Sequence, residues 1–121
     1  MCIRDRVWVA ANTRPEVLEI YEGSYERRPV GEISSGGNAA QALEAALWAF
    51  ARSGSFREGA LLAANLGRDC DVVSAIYGQL CGAHLGVSAI PGIWRNSLMK
   101  QEQIIDQADR LLTHALVTLG T

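Results

Sequence analysis

Two carboxylates two residues apart, Asp69 and Asp71, stand in the segment Asn65-Leu66-Gly67-Arg68-Asp69-Cys70-Asp71, between the end of one apolar stretch and the start of another. Two chemistries suit that placement. Aspartate at or just before a helix N-cap accepts backbone N–H bonds and complements the helix dipole. Paired carboxylates on a constrained turn also supply oxygen ligands for a hard divalent cation, Mg2+ or Mn2+, and burial between apolar helices would demand such compensation of their charge. The residues alone leave both readings open. His84 and His114 have no partner at ligand or triad spacing, and no serine sits in a nucleophile-elbow pattern, so no catalytic side chain is assigned. A thiolate at Cys70 is discouraged by the acids on either side, which leaves that cysteine as a small buried filler; Trp48 and Trp94 read as core residues.

The elements that must position these groups are helices. Pro15 opens a short amphipathic helix carrying Val17, Leu18 and Tyr21, and the Gly-, Ser- and charge-rich stretch from Gly23 to Gly37 reads as a loop. Ala39, Leu43, Ala46, Leu47 and Phe50 follow helical spacing with little polar face between them, so this helix is expected to be buried nearly all round. Ser55 with Glu58 is a capping-box pattern opening a helix that Gly67 stops, and an apolar helix follows from Val72 to Leu85. Pro91 opens a helical turn through Leu98, and Gln101 to Leu119 is an amphipathic helix with Asp106 and Arg110 as an outer i, i+4 pair. Only Val7-Trp8-Val9 hints at a strand. The expected class is all-α, a helical bundle.

Glycines at 78, 82 and 86 recur every four residues with Ala75 on nearly the same face. Mid-helix glycine costs about 0.5–1 kcal/mol relative to alanine, so the stripe is expected to admit a closely packed helix, with Gly82→Leu severely destabilising.

Composition narrows the partners. The chain has 121 residues, is 49% hydrophobic and 20% charged, and carries a formal charge of −2. That balance excludes a disordered chain and gives no electrostatic attraction for nucleic acid or a membrane surface. The three cysteines, Cys2, Cys70 and Cys81, contain no CxxC pair; 70 and 81 lie three helical turns apart, too far to bridge, which suits a reducing compartment. With no spanning segment or secretory leader, the expected location is cytoplasmic. Residues 1–6 (MCIRDR) are polar and without periodicity, and are set aside as a leader from the domain expected over 7–121.

From Ser34 to Leu119 the sequence resembles the C-terminal part of the ADP-ribosylglycohydrolase family, the all-α metal-dependent enzymes related to dinitrogenase reductase-activating glycohydrolase. The resemblance rests on an ordered series: Ser35 and Gly36 leading to Ala46-Leu47-Trp48-Ala49-Phe50, then Asn65-Leu66-Gly67, then Asp69-Cys70-Asp71 in place of an Asp-x-Asp-Thr/Ser signature. The glycine-punctuated helix and Ile90-Pro91-Gly92-Ile93-Trp94 complete it. It implies a larger all-helical domain with a binuclear Mg2+ or Mn2+ centre that supports hydrolysis of the bond between ADP-ribose and an acceptor, on an ADP-ribosylated protein or a small ADP-ribose conjugate. It places Asp69 and Asp71 at metal-ligand positions, and Val72 where the family has a hydroxyl ligand. Ser35 and Gly36 become candidate substrate-binding residues at a helix entry, with plain helix entry the competing reading. The family's N-terminal ligand cluster and acid–base residue have no match before Gly67, so the metal site is only partly supplied by this chain. The resemblance therefore implies an incomplete hydrolase or a non-catalytic member with a binding or structural role. It also implies apolar faces left uncovered, the helix from Ala39 to Phe50 among them.

Overall fold

The computed structural model describes residues 11–120; the polar start and the apolar cluster up to residue 10 lie outside them. Helices and turns account for all the regular structure, with no strand among the described residues. The chain divides into two compact units, Met1–Ala89 and Ile90–Thr121.

The first unit contains α1 (Pro15–Tyr21), α2 (Ser24–Arg27), a 3₁₀ turn at Val30–Glu32, α3 (Ala39–Arg52), α4 (Phe56–Ala64), α5 (Cys70–Leu85) and a 3₁₀ turn at Val87–Ala89. Local chemistry sets the boundaries. Asn38 Oδ1 accepts the Gln41 N–H at 2.9 Å to start α3, and Ser55 Oγ accepts the Glu58 N–H at 3.2 Å to start α4. The return bond of the capping box goes to Gly54, whose N–H donates to Glu58 Oε2 at 2.8 Å. A helix also interrupts the stretch expected as loop, and the reason is tertiary. The Glu44 carboxylate, on α3, accepts from Ser24 Oγ at 2.5 Å and Arg28 Nε at 2.7 Å. Trp48 Nε1 donates to the Arg28 carbonyl at 3.1 Å, while Arg52 donates to the carbonyls of Tyr25, Glu26 and Arg28 and stacks its guanidinium 5.0 Å from the Trp48 ring centre. The hydrogen bond that Arg28 donates to Glu44, with the charge of that carboxylate, holds the Arg28 pKa above its ordinary value.

Helices α3, α4 and α5 pack on one another around Ala42, Ala45, Ala46, Trp48, Ala49, Phe56, Ala63, Val73, Tyr77 and Cys81. The buried alanines let the backbones approach closely, while larger side chains such as Val73 and Phe56 each contribute roughly 1.5–3 kcal/mol by burial. The apolar helix α3 is thus covered within this chain, contrary to the expectation that it would lack partners. Tyr77 is the largest fully buried side chain. Its ring meets Phe56 at 5.8 Å between centroids and lies over Gly59, where any Cβ would overlap it. The phenol reaches the carbonyls of Phe56 and Ser55 at 3.1 and 3.2 Å and stands 3.2 Å from the Cys81 sulfur.

The close approach expected along α5 is therefore made elsewhere. Among the described residues a Cβ built on Gly78 or Gly82 meets nothing within 4 Å, and Gly86, at φ +81° and ψ 169°, ends the helix in a conformation that glycine adopts freely. The spacing showed a small-residue face, but no described residue lies within 4 Å of a Cβ built at Gly78 or Gly82 on it. Gly82→Leu has room for its side chain, and severe destabilisation no longer follows.

The second unit holds α6 (Gly92–Asn96) and α7 (Gln101–Leu119). The Asp106–Arg110 pair forms at 3.9 Å between exposed side chains. No residue of α7 is buried, and Ile104, Ile105, Leu111, Leu112, Leu116 and Val117 are exposed. Trp94, expected in a core, is 37% exposed, and Cys70 is only half-buried rather than a filler.

Two outcomes test the Tyr77 assignment. Gly59→Ala should lower stability by about 1–3 kcal/mol through overpacking, whereas Gly82→Ala should raise it by about 0.5–1 kcal/mol; urea unfolding of both variants measures this, and equal effects would contradict the packing. Burial, aided by the Cys81 contact, raises the Tyr77 phenol from 10.0 to about 12. The stability tied to the neutral phenol is therefore complete below pH 10 and lost as the pH rises towards 12. Tyr77→Phe should remove that part of the alkaline slope, read from unfolding midpoints across this window.

Candidate functional site

The loop between α4 and α5 carries the paired acids. After Asn65, which caps α4, the backbone turns through two successive left-handed residues, Gly67 at φ +78° and Arg68 at φ +44°. Glycine takes that conformation freely, whereas arginine does so at a cost of roughly 1–2 kcal/mol. The reversal delivers Asp69 to the N-cap of α5 and Asp71 to its first turn, where a negative charge meets the positive end of the helix dipole.

Side-chain capping is not what Asp69 does. Its backbone carbonyl accepts the Val73 N–H at 3.1 Å, but its carboxylate makes no cap hydrogen bond. Among the described residues no hydrogen bond or ion pair engages the carboxylate of either Asp69 or Asp71, and both residues are exposed. Two carboxylates with free oxygens suit a hard cation that keeps several waters and takes one or two protein carboxylates. No cluster of three or more His, Cys, Asp or Glu side chains arranged for a metal ion occurs among the described residues. Asp69 and Asp71 are thus two exposed carboxylate donors, short of a complete set for a metal ion among the described residues.

The Ser-Gly loop lies against this turn. Ser35 is 2% exposed, and its hydroxyl faces the Gly67 carbonyl at 2.8 Å and the Leu66 carbonyl at 3.3 Å. A Cβ on Gly36 would lie 2.9 Å from Asp69 Oδ2 and 3.1 Å from Arg68 Nε. Ser34 Oγ donates to the Gly36 carbonyl at 2.8 Å, closing the loop on itself. Ser35, Gly36 and Asp69, separated by more than thirty positions in sequence, are thus gathered at one place, with Asp71 on the adjoining helical turn. Val72, next in line, is 48% exposed and offers no oxygen.

Arg68 belongs to the same place and was not singled out from the sequence, because arginine carries no preference for a left-handed turn. His84, exposed, meets Phe50 edge-to-face at 5.7 Å, at the opposite end of α5. Its contact is with the scaffold.

Because the Asp69 carboxylate makes no cap bond, Asp69→Ala should change stability by less than about 0.5 kcal/mol, whereas Asn38→Ala and Ser55→Ala should each cost about 1 kcal/mol. Thermal unfolding of the three variants decides it, and a full capping penalty at Asp69 would assign that carboxylate to the helix.

Comparison with known proteins places the chain in a family. The chain is 44% identical over 95 residues to the ADP-ribosylarginine hydrolase Tri1 of Serratia proteamaculans (strain 568), covering 78% of this chain and 26% of that protein. It is 40% identical over 102 residues to the Tri1 of Pseudomonas putida (strain GB-1), covering 84% and 28%. A solved structure, described as an ADP-ribosylglycohydrolase-related protein complex, superposes with a TM-score of 0.71 at 45% identity over 78% of this chain and 32% of its own. The chain therefore spans between a quarter and a third of the proteins it matches. With the family profile described as ADP-ribosylglycohydrolase matching residues 4–118, well upstream of Ser34, this chain belongs to the ADP-ribosylglycohydrolase family.

Proposed function

We propose that this chain carries the C-terminal, metal-ligating side of a hydrolase that cleaves the glycosidic bond between ADP-ribose and an acceptor, with arginine-linked ADP-ribosyl protein as the substrate class. The observation that carries the reading is the pair of exposed carboxylates, Asp69 and Asp71, which make no hydrogen bond or ion pair among the described residues and stand at the start of α5, beside a turn braced by a second loop. The two Tri1 proteins, named as ADP-ribosylarginine hydrolases, support the acceptor.

Asp69 and Asp71 would hold Mg2+ or Mn2+ in a binuclear centre. When bound, the cations supply positive charge for positioning ADP-ribose and for activating water. Asp69, fixed at the start of α5, and Asp71, one helical step inside it, give the centre two donors on a single rigid element, which limits their freedom better than two loop residues could. Val72 contributes no donor, so a bound cation would need a water in the place the family fills with a hydroxyl. No base for water activation is assigned in this chain, and by itself it is expected to be inert.

Val72 also favours a second reading, a member that keeps the scaffold for binding without catalysis. Fusion of this chain to the portion of the Serratia relative that it does not cover separates the two. ADP-ribose release from an ADP-ribosylarginine protein is expected from the fusion, absent from the chain alone, and reduced at least about a hundredfold by Asp71→Asn. Val72→Thr should raise it. Release indifferent to Asp71→Asn overturns the ligand role, and a fusion active only with Val72→Thr supports the non-catalytic member.

A further inference from the structure

We propose that Ser35 and Gly36 are positioning residues that set the orientation of the Asp69 carboxylate, rather than contacts for the substrate; this rests on the reading of Asp69 and Asp71 as cation ligands. A carboxylate that is to bind a cation must keep its lone pairs free, yet it must not swing. Among the described residues no hydrogen bond holds the Asp69 carboxylate. What bounds it is a surface: Gly36 brings bare backbone against Oδ2, close enough that a methyl group there would sit 2.9 Å from that oxygen. That close backbone limits how the carboxylate can turn, while no hydrogen bond among the described residues occupies either of its oxygens.

Ser35 keeps the wall in place. Its hydroxyl is buried and directed at the carbonyls of Leu66 and Gly67, the two residues that lead into the left-handed turn at Gly67 and Arg68. Those carbonyls sit where α4 has ended, so they need a donor from outside the helix. One hydroxyl thus ties the loop at 34–37 to the turn at 66–69, and Arg68, with Nε 3.1 Å and Cβ 3.2 Å from the position of a Gly36 methyl, closes the other side. A hydroxyl turned inward onto two carbonyls is poorly placed to meet a ligand from solvent.

Mn2+ titration of the whole chain, followed by paramagnetic broadening of its amide signals, tests this. Broadening centred on residues 69–72 is expected in the unaltered chain and absent in Asp71→Asn. Gly36→Ala and Ser35→Ala should each weaken the apparent Mn2+ affinity about tenfold with an unchanged helical spectrum, and Ser35→Thr, which keeps the hydroxyl, should retain most of it. Gly82→Ala, in open space, should match the unaltered chain. If Gly36→Ala does not fold, the Ser35→Ala and Ser35→Thr pair decides. Undiminished Mn2+ affinity in the loop variants overturns the positioning role and leaves the cation site standing. Absence of Asp71-dependent broadening in the unaltered chain overturns the cation site and this inference with it.

Discussion

The seat of Tyr77 on Gly59 is the contact on which the first unit depends, because it joins all three long helices through one side chain. The ring comes from α5, the bare backbone beneath it from α4, and Ser53, just past the end of α3, lies 3.4 Å from the phenol oxygen. Without the missing Cβ at Gly59 the two helices would stand further apart, and the alanines that fill the rest of the interface would no longer touch. The phenol then completes the joint by meeting the first carbonyls of α4, so a bulky core residue also satisfies polar atoms.

The site depends on that joint at one remove. The turn carrying Asp69 connects the two helices that Tyr77 holds together, so its span is fixed at both ends before any local interaction is made. Within the span, two left-handed residues reverse the chain and Ser35 bridges the reversal. A strained arginine conformation persists here because its surroundings determine it, as such conformations usually do near sites of function. The geometry around Asp69 is therefore inherited from the scaffold rather than built by bonds to the carboxylate.

Much of this was legible in the residues. Ser55 caps where Glu58 three residues on suggested, α7 keeps the bounds its periodicity gave, and the ordered motifs named the family that the comparisons support. What escaped depended on distant partners. The helix at Ser24–Arg27 forms because Glu44, Trp48 and Arg52 receive it, and nothing in its own glycine-flanked sequence says so. Glycine at 59 and glycine at 82 look alike in a pattern, yet one lies under a tyrosine ring and the other faces open space. Spacing places residues on a face without naming what lies opposite. The inward turn of the Ser35 hydroxyl was equally hidden, since its acceptors lie some thirty residues on.

The alanine core has a further consequence for how this sequence can change. Ala45, Ala46, Ala49 and Ala63 are wholly enclosed, and a methyl group gives up no rotamer freedom on folding. Order at those positions therefore comes cheaply in entropy. Replacement by anything larger overpacks an enclosed position, and the one smaller residue, glycine, loosens the helix itself. Such positions are closed in both directions, so drift along this lineage should accumulate at the rim and the solvent faces while these methyls stay put.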